Sequence, residues 1–518
     1  MKYPIGIQSF EKIRTEDKLY IDKTALVYQL VNSGTYYFLS RPRRFGKSLL
    51  ISTLEAYFLG KKELFKGLAM EQLETEWNTY PVLHLDLTRG KYETLESLDE
   101  VLNIHLSKWE ALYGTNPVEK EPGSRFAGVI ERAHEKTGKQ VVILVDEYDK
   151  PLLKTIGNPQ LQDSYRSTLK AFYSVLKSCD PHIKFAILTG VTKFSKVSIF
   201  SDLNNLKDIS MQPRYHDICG ITEQELRDNL DEEVYKLAVA NSLDKRACYD
   251  RLRLMYDGYH FRENTNGLYN PFSLLNTLDN NLFDFYWFET GTPSLLVEVM
   301  KRCNYPLDRM NDSQATADLL GSIDSIERTP LPLFFQAGYL TIKGYNQRFK
   351  KYTLGFPNQE VEEAFTRFLI PYYTPNKSEK TEFDVENFLE ELESGKPGAF
   401  MKRLNALFAD TTYQIQGEKE LYFQNATYVF FKVMGFYTQV ERATSDGRID
   451  MIVKTPDFIY LFEFKIDKSA DEALAQINSK EYALPFSADS RQLYKIGVNF
   501  ASETGRIDGW KIENTEFV

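Results

Sequence analysis

The 518-residue sequence predicts an α/β protein in three parts. Near the N-terminus, short apolar runs alternate with helical stretches, and the first run meets its helix through a loop ending Gly46-Lys47-Ser48. Near the C-terminus, the run Phe458–Ile466 alternates charged and aromatic residues. Side chains of a strand alternate faces, so Glu463 and Lys465 share one face while Phe462 and Phe464 share the other. Between these ends the sequence is helical and turn-rich.

Five runs define the N-terminal sheet: Tyr36–Ser40, Val82–Leu87, Val141–Val145, Phe185–Leu188 and Lys207–Met211, interleaved with helices as an α/β sheet requires. The first strand, its loop and the helix Leu49–Leu59 form a P-loop arrangement. Its expected nucleotide set is Arg43, Arg44, Phe45, Gly46, Lys47, Ser48 and Leu49. Backbone N–H groups at the helix start cradle phosphates, Lys47 reaches the β and γ groups, and Ser48 binds Mg2+. Arg43 and Arg44 have three readings: a phosphate clamp, a nucleic-acid contact or a solvated basic turn. Arg41 stands where the first glycine of such loops falls, so the loop turns without that residue's tolerance of positive φ. The third strand ends in Asp146, expected to meet Mg2+ through water, and Glu147, expected to polarise a hydrolytic water. Thr189 and Lys193 have two readings: a γ-phosphate sensor with its charge partner, or simple loop residues. Asp149 and Lys150 read as a local pair, and Arg166 as one of many arginine-finger candidates. The loop R-P-R-R-F-G-K-S at Arg41–Ser48 and the strand end V-D-E-Y-D-K-P at Val145–Pro151 resemble the AAA-ATPase-like family. The resemblance implies a P-loop NTPase sheet of AAA-like type that binds ATP and Mg2+.

At the other end, a helix Glu418–Met434 precedes strands Phe436–Arg442, Arg448–Lys454 and Phe458–Ile466. A helix Ser469–Tyr482 and a strand Leu493–Phe500 follow. A hard cation needs only one or two carboxylates when a substrate phosphate completes its shell. Asp450 and Glu463 are the candidate ligands, with the Phe464 carbonyl as a further oxygen. Lys465 would position water or offset charge growing on phosphate. An acid and a base two apart also occur on surface hairpins with no such role. Asp450 followed by Glu463-Phe464-Lys465, in this order of elements, resembles the PD-(D/E)XK nuclease superfamily. That resemblance implies an αβββαβ restriction-endonuclease-like fold, with Gln476 and Glu420 as further site residues.

The middle opens with a helix at Thr222–Ala240, then a turn-rich stretch Asn264–Asn270 before Pro271. An apolar helix at Pro332–Gly338 and two strands, Tyr339–Lys343 and Lys351–Gly355, read as a winged-helix element. Asn376–Thr381 reads as a linker before a helix at Asp384–Ser394. The expected domains are 1–215, 216–380 and 381–518, the second a helical and winged-helix connector.

Composition sets limits. A net charge of −10 argues against tight non-specific DNA binding by the whole surface, though it leaves room for a basic groove. The scattered Cys179, Cys219, Cys248 and Cys303 form no CxxC pair, which fits free thiols in a reducing cytoplasm. No run approaches the roughly 18 apolar residues of a membrane span, so a cytoplasmic protein without a membrane partner is expected. The sequence thus predicts an ATP-binding, Mg2+-dependent nuclease whose nucleotide state gates the C-terminal site. DNA stands ahead of RNA as its substrate, and a homo-oligomer is one possible form. The alternative is an ATP-dependent switch or assembly protein whose nuclease-like domain only binds nucleic acid or a partner.

Overall fold

The computed structural model describes residues 2–194, 205–288, 293–321, 323–326, 328–373, 385–409, 419–435, 437–441, 450–504 and 506–515. The expected linker 376–381 and residues 442–449 lie outside them. The chain divides into two compact units. One comprises Met1–Thr292 with Asn311–Val361, and the other Pro293–Met310 with Glu362–Val518. Residues of the expected connector fall in both.

The first unit is built on five parallel strands, β1 Tyr36–Ser40, β2 Val82–Asp86, β3 Val141–Asp146, β4 Ile183–Gly190 and β5 Lys207–Asp208, in the order β2-β3-β4-β1-β5. Every residue of β3 is buried, as a continuous apolar strand covered on both faces should be. The expected fifth strand is shortened to a two-residue pairing. Beyond it the Ser210 hydroxyl, rather than a backbone carbonyl, accepts from the N–H of Ser40 at 2.9 Å. In open α/β sheets ligands bind beyond the carboxyl ends of the strands, where the Gly46–Ser48 loop and Asp146–Glu147 both emerge.

The helix Glu223–Ala240 begins at a capping box formed by Thr222 and Glu225. Its Leu226, Leu230 and Val234 pack with Tyr249, Leu252 and Leu274 from the helices Lys245–Tyr256 and Pro271–Asn280. Two short strands, β6 Ile221–Thr222 and β7 Leu268–Tyr269, pair beside them. The winged-helix-like element is present as the helix Leu331–Ala337 and the hairpin β9 Thr341–Asn346 and β10 Lys351–Gly355. A third strand that the sequence reading did not separate, β8 Ser313–Thr316, pairs with β10.

The second unit carries a five-stranded sheet in sequence order: β11 Gln439–Glu441, β12 Met451–Lys454, β13 Phe458–Ile466, β14 Gln492–Ala501 and β15 Arg506–Thr515. All neighbours are antiparallel except β13 and β14. Helix Lys419–Met434 precedes the sheet and helix Ala470–Ser479 joins β13 to β14, giving the expected αβββαβ order with β15 added. β13 is covered on both sides. Phe462 packs against Phe400 and Phe431, while Ile459 and Leu461 pack with Ile477. No described helix is long and apolar enough to cross a membrane.

Candidate functional site

Two sites stand out, one in each unit. In the first, the loop after β1 makes its left-handed turns at Arg44 (φ 63°) and Gly46 (φ 99°). Arg41 is outside that region and is 1% exposed. Its guanidinium donates to the carbonyls of Ser40, Ser210, Tyr215 and His216 at 2.8–3.1 Å and lies 4.1 Å from the Phe261 ring centroid. Burial lowers its pKa to about 10. The residue replacing the usual glycine is thus a brace beneath the loop. Its neighbours are fixed from the same side: Phe45 is buried edge-on against Tyr259 and Phe261, and the Trp287 indole donates to the Arg43 carbonyl at 3.0 Å. Gly338 allows a close approach, since a Cβ there would come 2.7 Å from Pro42. Trp287 is in turn held by Glu360, a fully buried carboxylate that accepts from its backbone N–H at 2.8 Å and from the Ser273 hydroxyl at 2.7 Å. Burial raises the Glu360 pKa to about 7.

Above this base lies a cleft of about 490 Å³. Arg43, Arg44, Gly46, Lys47, Ser48 and Leu49 line it, together with Glu147, Lys150 and Lys154 from the chain that follows β3. Lys47 Nζ donates to the Arg41 and Pro42 carbonyls at 3.0 and 3.1 Å. Glu147 holds a left-handed backbone (φ 55°), a strained conformation of the kind that collects at functional positions. Phe45 does not line the cleft, because its ring is part of the packing below. Asp146 and Thr189 also lie beneath it: Thr189 Oγ1 donates to Asp146 Oδ1 at 2.8 Å, so the expected sensor orients the expected metal-facing acid. Lys193 pairs instead with Asp208, and Arg166 lies within 4 Å of Asp163 and Asp324, away from the cleft. The sequence reading did not single out Asp86, which stands opposite Asp146 in the β2–β3 register and caps the Thr88 N–H at 2.8 Å. Its signal was there: an acid ending an apolar strand.

In the second unit, Asp450, Glu463, Lys465 and Gln476 come together. Asp450 Oδ2 accepts from the backbone N–H of Phe464 at 2.8 Å, which sets it beside Glu463. Lys465 Nζ donates to Glu463 Oε1 at 2.9 Å and to Gln476 Oε1 at 2.7 Å. Gln476 reaches the strand because helix Ala470–Ser479 lies directly on β14, where Gly497 is paired with Glu463. A Cβ at Gly497 would stand 2.4 Å from the Ala470 carbonyl. Glu463 is 1% exposed, and among the described residues its Oε2 has no hydrogen-bond partner. Burial, then the charge of Asp450, raises its pKa against the lowering effect of Lys465. A buried carboxylate oxygen without a donor is costly. A cation shared with Asp450 satisfies it, so the residues fit Mg2+. Phe464 turns its ring to the opposite face, stacking on Phe462, and brings only backbone to the site. Glu420 lies on the helix Lys419–Met434, and its side chain is outside the described set. Among the described residues, no three His, Cys, Asp or Glu side chains form a metal-sized group.

Fold and site together define a two-part chain, a P-loop ATPase-like unit and a PD-(D/E)XK-type unit. Residues 4–200 match the family described as predicted AAA-ATPase, and residues 418–510 match the PD-(D/E)XK nuclease superfamily. The chain is 36% identical over 527 residues to an uncharacterized protein in the vnfD 5′ region of Azotobacter chroococcum mcd 1, covering 99% of each sequence. It belongs to the family of that bacterial protein, and in this chain an AAA-ATPase-like segment is joined to a PD-(D/E)XK nuclease superfamily segment. Among solved structures, it resembles the Aeropyrum pernix ORC2 protein (ADPNP-ADP complexes) with a TM-score of 0.26 and 8% identity, over 65% of this chain and 88% of that one.

Proposed function

We propose that the protein is an ATP-binding, Mg2+-dependent nuclease in which the nucleotide held by the first unit gates phosphodiester hydrolysis in the second. Residues 1–215 serve as the nucleotide domain, 216–380 as the connector and 381–518 as the hydrolytic domain. DNA is the substrate we place first, with RNA second, and the setting is the cytoplasm. The carrying observation is the orphaned, buried Glu463 oxygen beside Asp450, with Lys465 and Gln476 closing the same niche. Asp450 and Glu463 would hold the cation, and its chemistry there is to polarise a phosphate oxygen and acidify a water. Lys465 would orient the attacking water or offset charge on the phosphate, and Gln476 holds the lysine in place. In the first unit Lys47 and the loop N–H groups would bind phosphates, Ser48 would hold the nucleotide's Mg2+, and Asp146 would meet it through water.

The test is cleavage of single- and double-stranded DNA and RNA with Mg2+ or Mn2+, with and without ATP, beside Lys47→Ala and Glu463→Ala. Loss in both variants supports gating. Loss in Glu463→Ala alone leaves two independent activities. One observation favours a second reading: Lys465 already sits in a closed ion pair with Glu463, an arrangement that can stand without a metal. On that reading the chain is a nucleotide-dependent switch whose nuclease-like unit only binds. ATP binding with no cleavage of any of the four substrates would decide for it.

A further inference from the structure

The pair expected between Asp149 and Lys150 does not form. Asp149 is fully buried, and its Oδ2 accepts from the N–H groups of Val191 and Thr192 at 3.1 and 2.6 Å and from Thr192 Oγ1 at 2.6 Å. Gly190 makes room, because a Cβ there would lie 2.4 Å from Asp149 Oδ1. Tyr148 is turned the same way, its hydroxyl donating to the Thr192 carbonyl at 3.0 Å. With 148 and 149 locked inward, Glu147 and Lys150 are presented together to the cleft that Lys47 and Ser48 line. Lys150 Nζ donates to the Thr88 carbonyl and, among the described residues, to no carboxylate. Its described partner at the cleft is thus a neutral one. Lys47 arrives from β1 and Lys150 from β3, with β4 between those strands. Both lysines line the same cavity, each ammonium parked on backbone carbonyls.

We propose that Lys150 distinguishes a nucleoside triphosphate from a diphosphate, its ammonium exchanging the Thr88 carbonyl for the terminal phosphate. This rests on the nucleotide reading of the cleft given above. A phosphate offers the ammonium an opposite charge that a neutral carbonyl does not, and the four-carbon stem of lysine lets the point charge move between them. The third phosphate is thus read by a cation from the same chain, on the wall that also carries Glu147.

The experiment is calorimetric titration of the full-length chain with ADPNP and with ADP, both in Mg2+. Lys150→Gln keeps a donor for Thr88 while removing the charge, and Lys150→Arg restores the charge. Expected for Lys150→Gln is a loss of about tenfold in ADPNP affinity with ADP changed less than about twofold. Lys150→Arg should keep most of the discrimination, and Lys47→Ala should weaken both nucleotides. Equal weakening of both by Lys150→Gln, or no change in either while Lys47→Ala still fails, overturns the proposal and leaves the nucleotide cleft standing. Unaltered binding of both by Lys47→Ala removes the nucleotide reading itself. If Lys150→Gln melts early without nucleotide, the Lys150→Arg protein decides: loss of discrimination there, with ADP still bound, also overturns it.

Discussion

The two sites use the same residue types in opposite senses. In the N-terminal cleft, Lys47 and Lys150 donate to backbone carbonyls and, among the described residues, hydrogen-bond to no carboxylate. In the C-terminal niche Lys465 is bound to Glu463, whose second oxygen has no donor among the described residues and which stands beside a second acid, Asp450. On the function proposed above, the first takes a polyanion and the second a cation. What a lysine and an acid do depends less on their presence in a motif than on which partner, carbonyl or carboxylate, the fold gives the lysine. Glu360 sharpens the contrast: it is as buried as Glu463, yet donors from Ser273 and Trp287 meet it.

The largest effect expected from this contrast is on cleavage. Glu463→Ala should lower the Mg2+-dependent rate by about 10³-fold with ADPNP affinity unchanged. Cleavage at the wild-type rate would erase the distinction between the sites. Next is Arg41→Leu, which leaves four carbonyls without their donor and should cost about 4 kcal/mol, read from the urea transition of the first unit. A change under about 1 kcal/mol would mean that the loop stands without its brace. Third is the pH dependence of Glu360. Its folded pKa, about 7, lies above the ordinary 4.5, so the folded state holds the extra proton between those values. Stability is complete below about pH 4.5 and falls as pH rises to about 7, by up to about 3 kcal/mol. Glu360→Gln should flatten that fall in melts at pH 4.5, 6 and 8. An unchanged slope would assign it to another group. The smallest is Gly497→Ala, expected to cost about 2 kcal/mol and to slow cleavage by displacing Gln476 from Lys465. Full activity would show that the helix position is not critical to the site.

Much of this was legible in the sequence because both sites are built on local periodicity. Strand alternation placed Glu463 and Lys465 on one face, and Phe458–Ile466 is the observed strand. All five N-terminal runs fall in one sheet. What stayed hidden depends on contacts far apart in the chain. The role of Arg41 requires carbonyls about 170 residues away. The inward lock of Asp149 requires the end of β4, and without it the adjacent lysine looked like its partner. β15 went unseen because its residues alternate weakly, with Ile507 buried among largely exposed neighbours. Phe45 carries the loop motif's spacing, but packing with Tyr259 and Phe261 decided where its ring went.

The Trp287 indole has a practical use. The chain holds four tryptophans, and this one donates to a carbonyl of the phosphate loop. A loop that shifts when nucleotide arrives would stretch or break that bond and change the ring's emission. The protein therefore carries its own optical reporter. With Trp77, Trp109 and Trp510 replaced by phenylalanine, stopped-flow fluorescence could follow loading in real time, without an added dye.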